Sequence, residues 1–409
     1  MQKLCFLLLI FLTNNITTAS EALKCGGSKC KPDQYFAGFA KVDISPQIGI
    51  DKVPTLAATP QRVDRIHDPL YAKALVLSDG QQTLGFIALD LCFLLPESFD
   101  ELKQYLQQES KLEHINLTVT HTHSGMFDQT RLNALKASAL NALKLANTDL
   151  HSVRIGASSI DVDEAYNRRI QTQTSTEMLW TNPHRVANRP VDTALGVVHI
   201  RSLQGVPLVS IVNYNAHPTV TMDLENVVVS ADYPGAIAST ISERLGGEVL
   251  FLAGAAGDVN PYDSDTKPIE LAIKKSAAMG TRLGLAAIKA IHSISNYKDG
   301  GEFKLSKGYF SNPKAEISAL LLTPHIAMAT FPGEYFNSFG EQLKSQSPVD
   351  HTFFIGYSNG SIGYVPTETA AKLGGYGAEL DSEAVQGSST TGRDHTRAAI
   401  EMIKQLNES

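Results

Sequence analysis

The stretch NLTVTHTHSGMFD, residues 116–128, holds the pattern on which the predicted fold and site depend. Side chains of a strand alternate between its two faces, so His121 and His123 share the face of the apolar residues before them. Ser124 and Gly125 then open a turn. Sites in open α/β sheets are built where strands end, and imidazole is a common metal ligand. A His-x-His pair can equally be a hydrogen-bonded pair near the core, so this stretch alone leaves both interpretations open.

Other apolar runs of the chain also end in residues that could join such a site. Pro218 restricts His217, the residue before it, to an extended conformation at the end of SIVNYNAHPTV. In VLFLAGAAGDVNPYD, glycines after the apolar run let the backbone come close to a ligand. Each polar residue could instead be an ordinary turn residue or helix-capping residue. Because all of them stand at the ends of apolar runs, a shared site is favoured. The candidates are His217, Asp258, Asn260, Glu334 (expected at a helix start) and Tyr364.

The residue types among these candidates indicate a metal-dependent hydrolase. His121, His217 and Glu334, with the Tyr364 phenolate as a further candidate, would give nitrogen and oxygen ligands. With only 4 cysteines in the chain, this set suits Zn²⁺ of the catalytic type. Zinc lowers the pKa of a bound water to about 7 and polarises a carbonyl oxygen. The chemistry predicted from the residues is therefore hydrolysis.

The chain as a whole predicts an α/β fold with layered mixed β-sheets flanked by helices. Strand-like runs such as YAKALVLSD, INLTVT and GEVLFLAG alternate with helix-like runs such as PESFDELKQYLQQES. There is no internal repeat, and we expect one catalytic domain. The most polar connection, residues 171–188, carries the single tryptophan, Trp180, and is either a substrate-facing loop or a surface excursion.

Composition and charge limit the class of partner. The chain has 35 basic and 42 acidic residues, a formal net charge of −7, and no charged blocks. Because a nucleic-acid surface needs a basic patch, nucleic-acid binding is not favoured. We expect a small-molecule or lipid substrate, peripheral membrane contact only through that substrate, and no stable protein partner.

The N-terminus resembles a secretory signal. Residues 1–19 contain Lys3, an apolar run too short to span a bilayer, and small residues before the expected cleavage point. We therefore expect a secreted or periplasmic protein with residues 20–409 as its hydrolase domain. In such an oxidising compartment Cys25 and Cys30 could form a small disulfide, whereas Cys92 lies in an apolar run and is expected to be a buried free thiol.

Eight segments follow one another in a recognisable order: FAGFAKVDISPQIG, HTHSG, YNRR, NAHPT, SADYPG, GAAGDVNP, FPGE and GYVPT…GGY. In these segments the chain resembles the neutral/alkaline non-lysosomal ceramidases, specifically their N-terminal zinc-binding catalytic domain. The resemblance implies that the zinc ligands are His121, His217, Glu334 and Tyr364. It also implies that His123, Arg168 and Tyr376 surround the amide of the substrate, where a guanidinium suits a developing oxyanion.

The chain departs from the ceramidase pattern at several points. Asn260 stands where the family carries a serine before the proline, and an amide cannot act as a nucleophile. We therefore expect a zinc-activated water, with His123 as the proton shuttle and Asp258 as a less favoured shuttle. Asn260 is expected to be a hydrogen-bond donor, and Arg168, Asn260 and Asp258 are expected to contact the substrate. The residues after HTHSG are not the usual glycine-rich run, and no C-terminal β-sandwich domain is expected before Ser409.

The leading hypothesis is a zinc-dependent hydrolase that cleaves the amide bond of an N-acyl (sphingo)lipid, such as ceramide or a related N-acyl compound. A second hypothesis is a metallohydrolase for another ester or phosphoester, although barrel hydrolases with a His-x-His motif place it near their first strand. A third is a non-catalytic lipid- or glycan-binding relative, for which the loss of the serine is the main support.

Overall fold

The computed structural model describes residues 33–53, 61–223 and 227–409, together with the backbone of two short paired strands near the N-terminus. Residues 1–19 and Cys30 lie outside the described residues. The signal peptide and the pairing of Cys25 with Cys30 therefore stay predictions. Of the helices in the described part of the chain, none has the length and apolar character needed to cross a bilayer.

The strands, numbered in chain order, are β1 (Lys24–Cys25), β2 (Ser28–Lys29), β3 (Phe36–Asp43), β4 (Lys52–Val53), β5 (Gln61–Arg62), β6 (Arg65–Ile66), β7 (Tyr71–Ser78), β8 (Thr83–Leu89), β9 (His114–Val119), β10 (His151–Asp161), β11 (Ala165–Asn167), β12 (Arg169–Gln171), β13 (Thr176–Met178), β14 (Ala194–Ser202), β15 (Pro207–Tyr214), β16 (Val228–Val229), β17 (Glu248–Ala253), β18 (Val259–Pro261), β19 (Lys304–Ser311), β20 (Lys314–Thr323), β21 (Ile326–Thr330), β22 (Glu334–Tyr335), β23 (His351–Ile355) and β24 (Tyr364–Val365).

The helices are α1 (Pro96–Ser110), α2 (Leu132–Thr148), α3 (Asp232–Arg244), α4 (Ile269–Ser293), α5 (Asn337–Gln346), α6 (Glu368–Leu373) and α7 (Thr391–Glu408), and a 3₁₀ turn at Gln129–Arg131 precedes α2.

Two mixed sheets form the centre of the molecule. The larger has eight strands in the order β17-β15-β14-β10-β3-β7-β8-β9, and the smaller has four in the order β19-β20-β21-β23. The pairs β15/β17, β8/β9 and β21/β23 are parallel, and their neighbours in both sheets are antiparallel. The predicted mixed α/β architecture is confirmed.

The two sheets and the helices pack as four layers, and alternation along each strand divides the core. In β7, Ala74 and Val76 face a core with the helices α1 to α4, whereas Leu75 and Leu77 face the smaller sheet. The other face of the smaller sheet packs on α5 and α7. Burial of apolar side chains on both faces of both sheets, worth roughly 25 cal/mol per Å², holds the layers in one domain.

The two edges of the larger sheet approach each other. Strand β17 forms one edge of the sheet and β9 the other, yet β17 contacts both β8 and β9. The segment after β23 joins these edges: the Gly356 N–H donates to Ala253 at the end of β17, and the Asn359 N–H donates to Leu117 in β9. A right-handed twist of roughly 20–25° per strand pair accumulates over so wide a sheet. The ends of β9, β15, β17 and β21 therefore meet at one place.

Several elements begin and end as the sequence predicts, and others do not. Helix α1 covers PESFDELKQYLQQES in full, with Pro96 in its first turn and a left-handed Lys111 after its end. Glu334, expected at a helix start, instead lies in β22, and α5 begins later, at Asn337. The reason is that Glu334 and Tyr335 pair with β24, so the chain stays extended before it turns into the helix.

Candidate metal centre

His121 leaves the end of β9 with its imidazole fixed by the segment that follows β8. Its backbone N–H donates to Leu91, and its Nδ1 lies 2.6 Å from the Cys92 carbonyl oxygen. A carbonyl oxygen can only accept, so Nδ1 carries the proton and Nε2 presents a lone pair. The backbone has φ of 66°, a left-handed conformation that costs a non-glycine residue on the order of 1–3 kcal/mol and is concentrated at functional sites.

His217 is held in the same manner after β15. Its backbone N–H and its Nδ1 both approach the Val259 carbonyl oxygen, at 3.0 and 3.1 Å. Nδ1 therefore carries the proton here too, and Nε2 presents a lone pair. Burial, followed by the positive charge of Arg168, lowers the pKa of His217 to about 4. Its imidazole is neutral near pH 7, which is the form that binds metals.

Glu334, in the short strand β22 that follows β21 of the smaller sheet, brings a carboxylate to both imidazoles. Its Oε2 lies 3.0 Å from His217 Nε2 and 3.3 Å from His121 Nε2. Burial alone raises the pKa of Glu334, but the imidazoles of His121 and His217 outweigh it and hold the pKa well below its usual range. Gly257 permits this approach, since a Cβ at that position would lie 2.3 Å from the Glu334 carbonyl oxygen.

The donor chemistry of these three residues fits a cation. Ligand atoms of His121, His217 and Glu334 all lie within 4.8 Å of one another. Two imidazole lone pairs and a carboxylate are all acceptors, so they need a positive partner between them. Zn²⁺ takes such nitrogen and oxygen ligands and keeps a further position open in catalytic sites. The bonds from each Nδ1–H to a carbonyl are the outer contacts that orient metal-binding histidines.

Tyr364 stands beside Glu334, its register partner in the pairing of β22 with β24. The phenol oxygen lies 3.2 Å from Arg168 Nη2, and its ring stacks on that of His217 with centroids 6.5 Å apart. Burial, followed by the Glu334 carboxylate, raises the pKa of Tyr364 well above its usual value. Tyr364 thus borders the three-residue centre, and its part as a fourth ligand stays a prediction.

The buried Arg168 guanidinium lies in a cage of aromatic rings. Its central carbon lies 5.4–5.5 Å from the ring centroids of Trp180, Tyr364 and Tyr376. Its Nη2 also donates to the Gly257 carbonyl oxygen at 2.7 Å. Its buried Nε has no hydrogen-bond partner among the described residues. Arg168 therefore offers a fixed positive charge with a spare donor.

Two half-exposed rings form the outer side of this cage. Trp180 and Tyr376 are 45% and 47% exposed and meet edge to face at 5.2 Å. Arg169 holds Tyr376 by donating from Nη1 to its carbonyl oxygen at 2.9 Å. The connection at residues 171–188, for which the sequence left two interpretations open, thus places its tryptophan at the border of the site.

His123 lies next to the centre but outside the three-residue ligand set. Its Nε2 is 3.3 Å from His121 Nε2, and its backbone N–H donates to the Pro218 carbonyl. Its buried Nδ1 has no hydrogen-bond partner within the described part of the chain. Burial, followed by His121, lowers the pKa of His123 well below its usual value. The position is compatible with proton transfer, and that role stays a prediction.

Asn260 and Asp258 occupy different positions around Arg168. Asn260 Oδ1 lies 3.4 Å from Arg168 Nη1, so the amide borders the site. Both carboxylate oxygens of Asp258 are engaged in the protein, at 2.7 Å from the Asn337 N–H and 2.8 Å from Asn167 Nδ2. The bonds of Asp258 support the loop that carries Arg168, and its contact with a substrate stays a prediction.

Two residues at the centre were not assigned to it from the sequence. Tyr357 stacks on His121 with centroids 4.2 Å apart, and Cys92 lies beside His121 and His123. Cys92 is a buried free cysteine, as predicted. Burial, followed by Glu334, raises the pKa of its thiol well above the usual value. Tyr357 stands two residues after the end of β23, a position like that of His121 after β9, whereas Cys92 lies within an apolar run and carries no such signal.

A narrow cleft of about 30 Å³ reaches the centre from one side. His121 and Glu334 line it at the metal centre. Most of its remaining side chains are apolar, and Phe93 at its edge is 40% exposed. The apolar lining consists of Phe93, Leu94, Phe99 and Val119.

Comparison with solved structures establishes the fold. The chain matches neutral ceramidase from Pseudomonas aeruginosa with a TM-score of 0.76 and 15% identity, over 92% of this chain and 75% of that one. It matches a ceramidase complexed with C2 with a TM-score of 0.75 and 15% identity, over 92% and 76% of the two chains. No family model matches the sequence. The protein therefore has a neutral-ceramidase-like fold, which confirms the resemblance drawn from its motifs.

Proposed function

We propose that the protein is a zinc-dependent hydrolase that cleaves the amide bond of an N-acyl lipid, such as ceramide or a related compound. The observation that carries this proposal is the convergence of His121, His217 and Glu334, whose ligand atoms lie within 4.8 Å of one another and whose Nε2 atoms lie 3.3 and 3.0 Å from Glu334 Oε2. His121 and His217 follow the ends of β9 and β15, Glu334 lies in β22, and each histidine is oriented by a carbonyl on its other nitrogen. The ceramidase-like fold supports an amide as the bond cleaved.

A zinc ion held by these residues would supply Lewis acidity and activate a water molecule as the nucleophile. The chain itself offers no serine for this task at Asn260, and Ser124 Oγ donates to the Thr221 carbonyl at 2.7 Å. His123, 3.3 Å from His121, would carry a proton between water and the leaving amine. We assign the catalytic roles around the substrate amide to His123, Arg168 and Tyr376.

Arg168 is the residue that would stabilise charge on the substrate oxygen. Its guanidinium is fixed by Gly257 and Tyr364, so little reorganisation is needed when negative charge develops. The unpartnered Nε supplies the donor, and Asn260 would add an amide donor beside it. Tyr376 closes the site on its exposed side.

The cleft supports a lipid as the substrate. A carbon chain that packs against the exposed Phe93 at the edge of this apolar cleft would lose contact with water. The same cleft ends at His121 and Glu334, so the chain's polar end would lie at the centre. We therefore propose a substrate with an apolar chain next to the scissile amide, and membrane contact only through that lipid.

The test measures zinc content and fatty-acid release together. The purified protein is assayed on a panel of N-acyl lipids, with ester and phosphodiester substrates beside them, before and after chelation. We expect amide hydrolysis that disappears with zinc and returns when zinc is restored. His217→Ala should lose both zinc and hydrolysis, whereas His151→Ala, which changes an exposed histidine, should keep both. Chelated protein that still cleaves N-acyl lipids would refute the proposal, and cleavage of only the phosphodiester would favour the alternative metallohydrolase.

We also propose export of the protein, for which residues 1–19 are the support. Mass spectrometry of the protein recovered outside the cytoplasm should give an N-terminus at Ser20. Recovery only from the cytoplasm with Met1 or Gln2 at the N-terminus would contradict it.

A further inference from the structure

A free thiol stands beside two histidines of the candidate metal centre. Cys92 is 2% exposed and is not in a disulfide with any described cysteine. One ligand atom of each of Cys92, His121 and His123 lies within 4.8 Å of the other two. This set shares His121 with the centre described above but does not use His217 or Glu334.

The backbone fixes Cys92 against the turn that carries the histidines. The Cys92 N–H donates to the Gly125 carbonyl at 2.9 Å, and its carbonyl oxygen accepts from His121 Nδ1 at 2.6 Å. The backbone of the cysteine is thus tied to both ends of the turn. Rotation about a single side-chain bond is the only freedom left to the sulfur, so its nearness to the imidazoles follows from the fold.

The donors of this set differ from those of the first centre. A thiolate is soft and selects thiophilic cations such as zinc, cadmium or Cu(I), and imidazole is compatible with all of them. His123 keeps a buried nitrogen with no partner in the described part of the chain. The thiolate rather than the thiol binds a metal, so the bound cation replaces the thiol proton, which leaves to solvent.

We propose that Cys92, His121 and His123 form a second, inhibitory cation position that takes a thiophilic metal ion. His121 has a single lone pair to offer, on Nε2, because its Nδ1–H is bonded to the Cys92 carbonyl. The two positions therefore exclude each other. A cation at the thiol position would remove His121 from the first centre and would also occupy His123. The cation position stands on its own geometry, and only its inhibitory effect rests on the proposed function.

The test uses cobalt as a spectroscopic probe of sulfur ligation. The background is the full chain with Cys5→Ser, Cys25→Ser and Cys30→Ser, so that Cys92 is the one thiol left to observe. Titration with excess Co²⁺ should produce a near-ultraviolet sulfur-to-cobalt charge-transfer band and release of a proton. Cys92→Ser should lose the band. His217→Ala and Glu334→Gln, which weaken only the first centre, should keep it. Circular dichroism checks that each variant is folded.

The outcomes separate this inference from the proposed function. Absence of the charge-transfer band from the folded background protein at saturating Co²⁺ overturns the cation position, whatever the hydrolytic activity. A band that persists in Cys92→Ser overturns it as well. A Cys92-dependent band in a protein that cleaves no N-acyl lipid supports the position while the proposed function fails. If the enzyme is active, Cd²⁺ should inhibit the hydrolysis. Cys92→Ser should raise the Cd²⁺ concentration needed for inhibition at least about tenfold. A variant that is inhibited at the same Cd²⁺ concentration as the background protein overturns the inhibitory effect.

Discussion

At the scale of single residues, the centre is defined by which nitrogen of each histidine carries a proton. The carbonyls of Cys92 and Val259 fix that choice for His121 and His217. The sequence predicts His121 and His217 as candidates because both end apolar runs. It cannot predict the carbonyl partners, because these come from segments distant in the chain whose positions depend on packing.

Glu334→Gln tests the charge that the centre supplies to a cation. The amide keeps the shape of the carboxylate but not its negative charge, so zinc affinity should fall by more than the roughly 10–100-fold typical of losing an outer partner. Isothermal titration of the zinc-free protein measures the change. Glu316→Gln, which alters a carboxylate paired with Lys103, serves as the matched control. Equal zinc affinity in Glu334→Gln and the native protein would remove Glu334 from the ligand set.

Arg168→Lys tests oxyanion stabilisation. Lysine keeps the positive charge but loses the planar fork of donors, so kcat should fall by about 10²–10³-fold with a smaller change in KM. The comparison variant is Arg154→Lys, in which the partly exposed arginine is paired with Asp299. A rise in KM alone, with kcat unchanged, would show that Arg168 contributes only to substrate binding.

At the scale of secondary-structure elements, close approaches between loops position the ligands. The loop after β17 touches the backbone of Glu334 at Gly257, and β22 pairs with β24 to place Tyr364 beside Glu334. Helix α1 was predicted because its periodicity is local. The short strand at Glu334 was not predicted, since its partner lies far along the chain. Strands β10 and β14 were also missed, because polar residues interrupt their apolar pattern.

Gly257→Ala tests the approach of this loop. The added Cβ would lie 2.3 Å from the Glu334 carbonyl oxygen, so the backbone at Glu334 must shift. We expect a loss of about 1–3 kcal/mol in unfolding free energy, in the range of overpacked cores, together with weaker zinc binding. Gly205→Ala is the control variant. Its φ of 90° makes the substitution strain the backbone, but no atom lies within 4 Å of the added Cβ. It should leave zinc binding unchanged, and a Gly257→Ala protein with native zinc affinity would contradict the expectation.

At the scale of the whole molecule, the site exists because two sheets bring distant strand ends together. Strands β9 and β15 lie far apart in the order of the larger sheet, yet His121 and His217 meet. Apolar runs in the sequence predict the strands and the residues at their ends. They do not predict how far the sheet twists or which edges meet, because these depend on the packing of all four layers.

A buried histidine away from the site gives the molecule a pH-dependent stability. His199 in β14 is 2% exposed, and burial, followed by Arg201, lowers its pKa to about 4. The unfolded chain, with an ordinary histidine pKa of about 6.5, binds a proton at higher pH than the folded protein. The contribution of neutral His199 to the stability of the folded protein is therefore fully present above about pH 6.5. It is lost as the pH falls towards 4.

His199→Gln should remove this pH dependence. Between pH 7 and pH 5 the contribution of His199 to the unfolding free energy should fall by about 2 kcal/mol. Denaturant unfolding of the native protein and the variant at both pH values measures the unfolding free energy. From pH 7 to pH 5 this free energy should fall less in the variant than in the native protein, by about 2 kcal/mol. Identical losses in the two proteins would mean that His199 does not titrate differently on folding.

The central claim is that one cation is held jointly by His121, His217 and Glu334. Crystals of the zinc-loaded protein, measured at the zinc absorption edge, test it most directly. We predict an anomalous peak about 2.0–2.1 Å from the Nε2 atoms of both histidines and about 2.0–2.2 Å from a Glu334 carboxylate oxygen. A zinc-loaded crystal with no anomalous density between these three side chains would contradict the account.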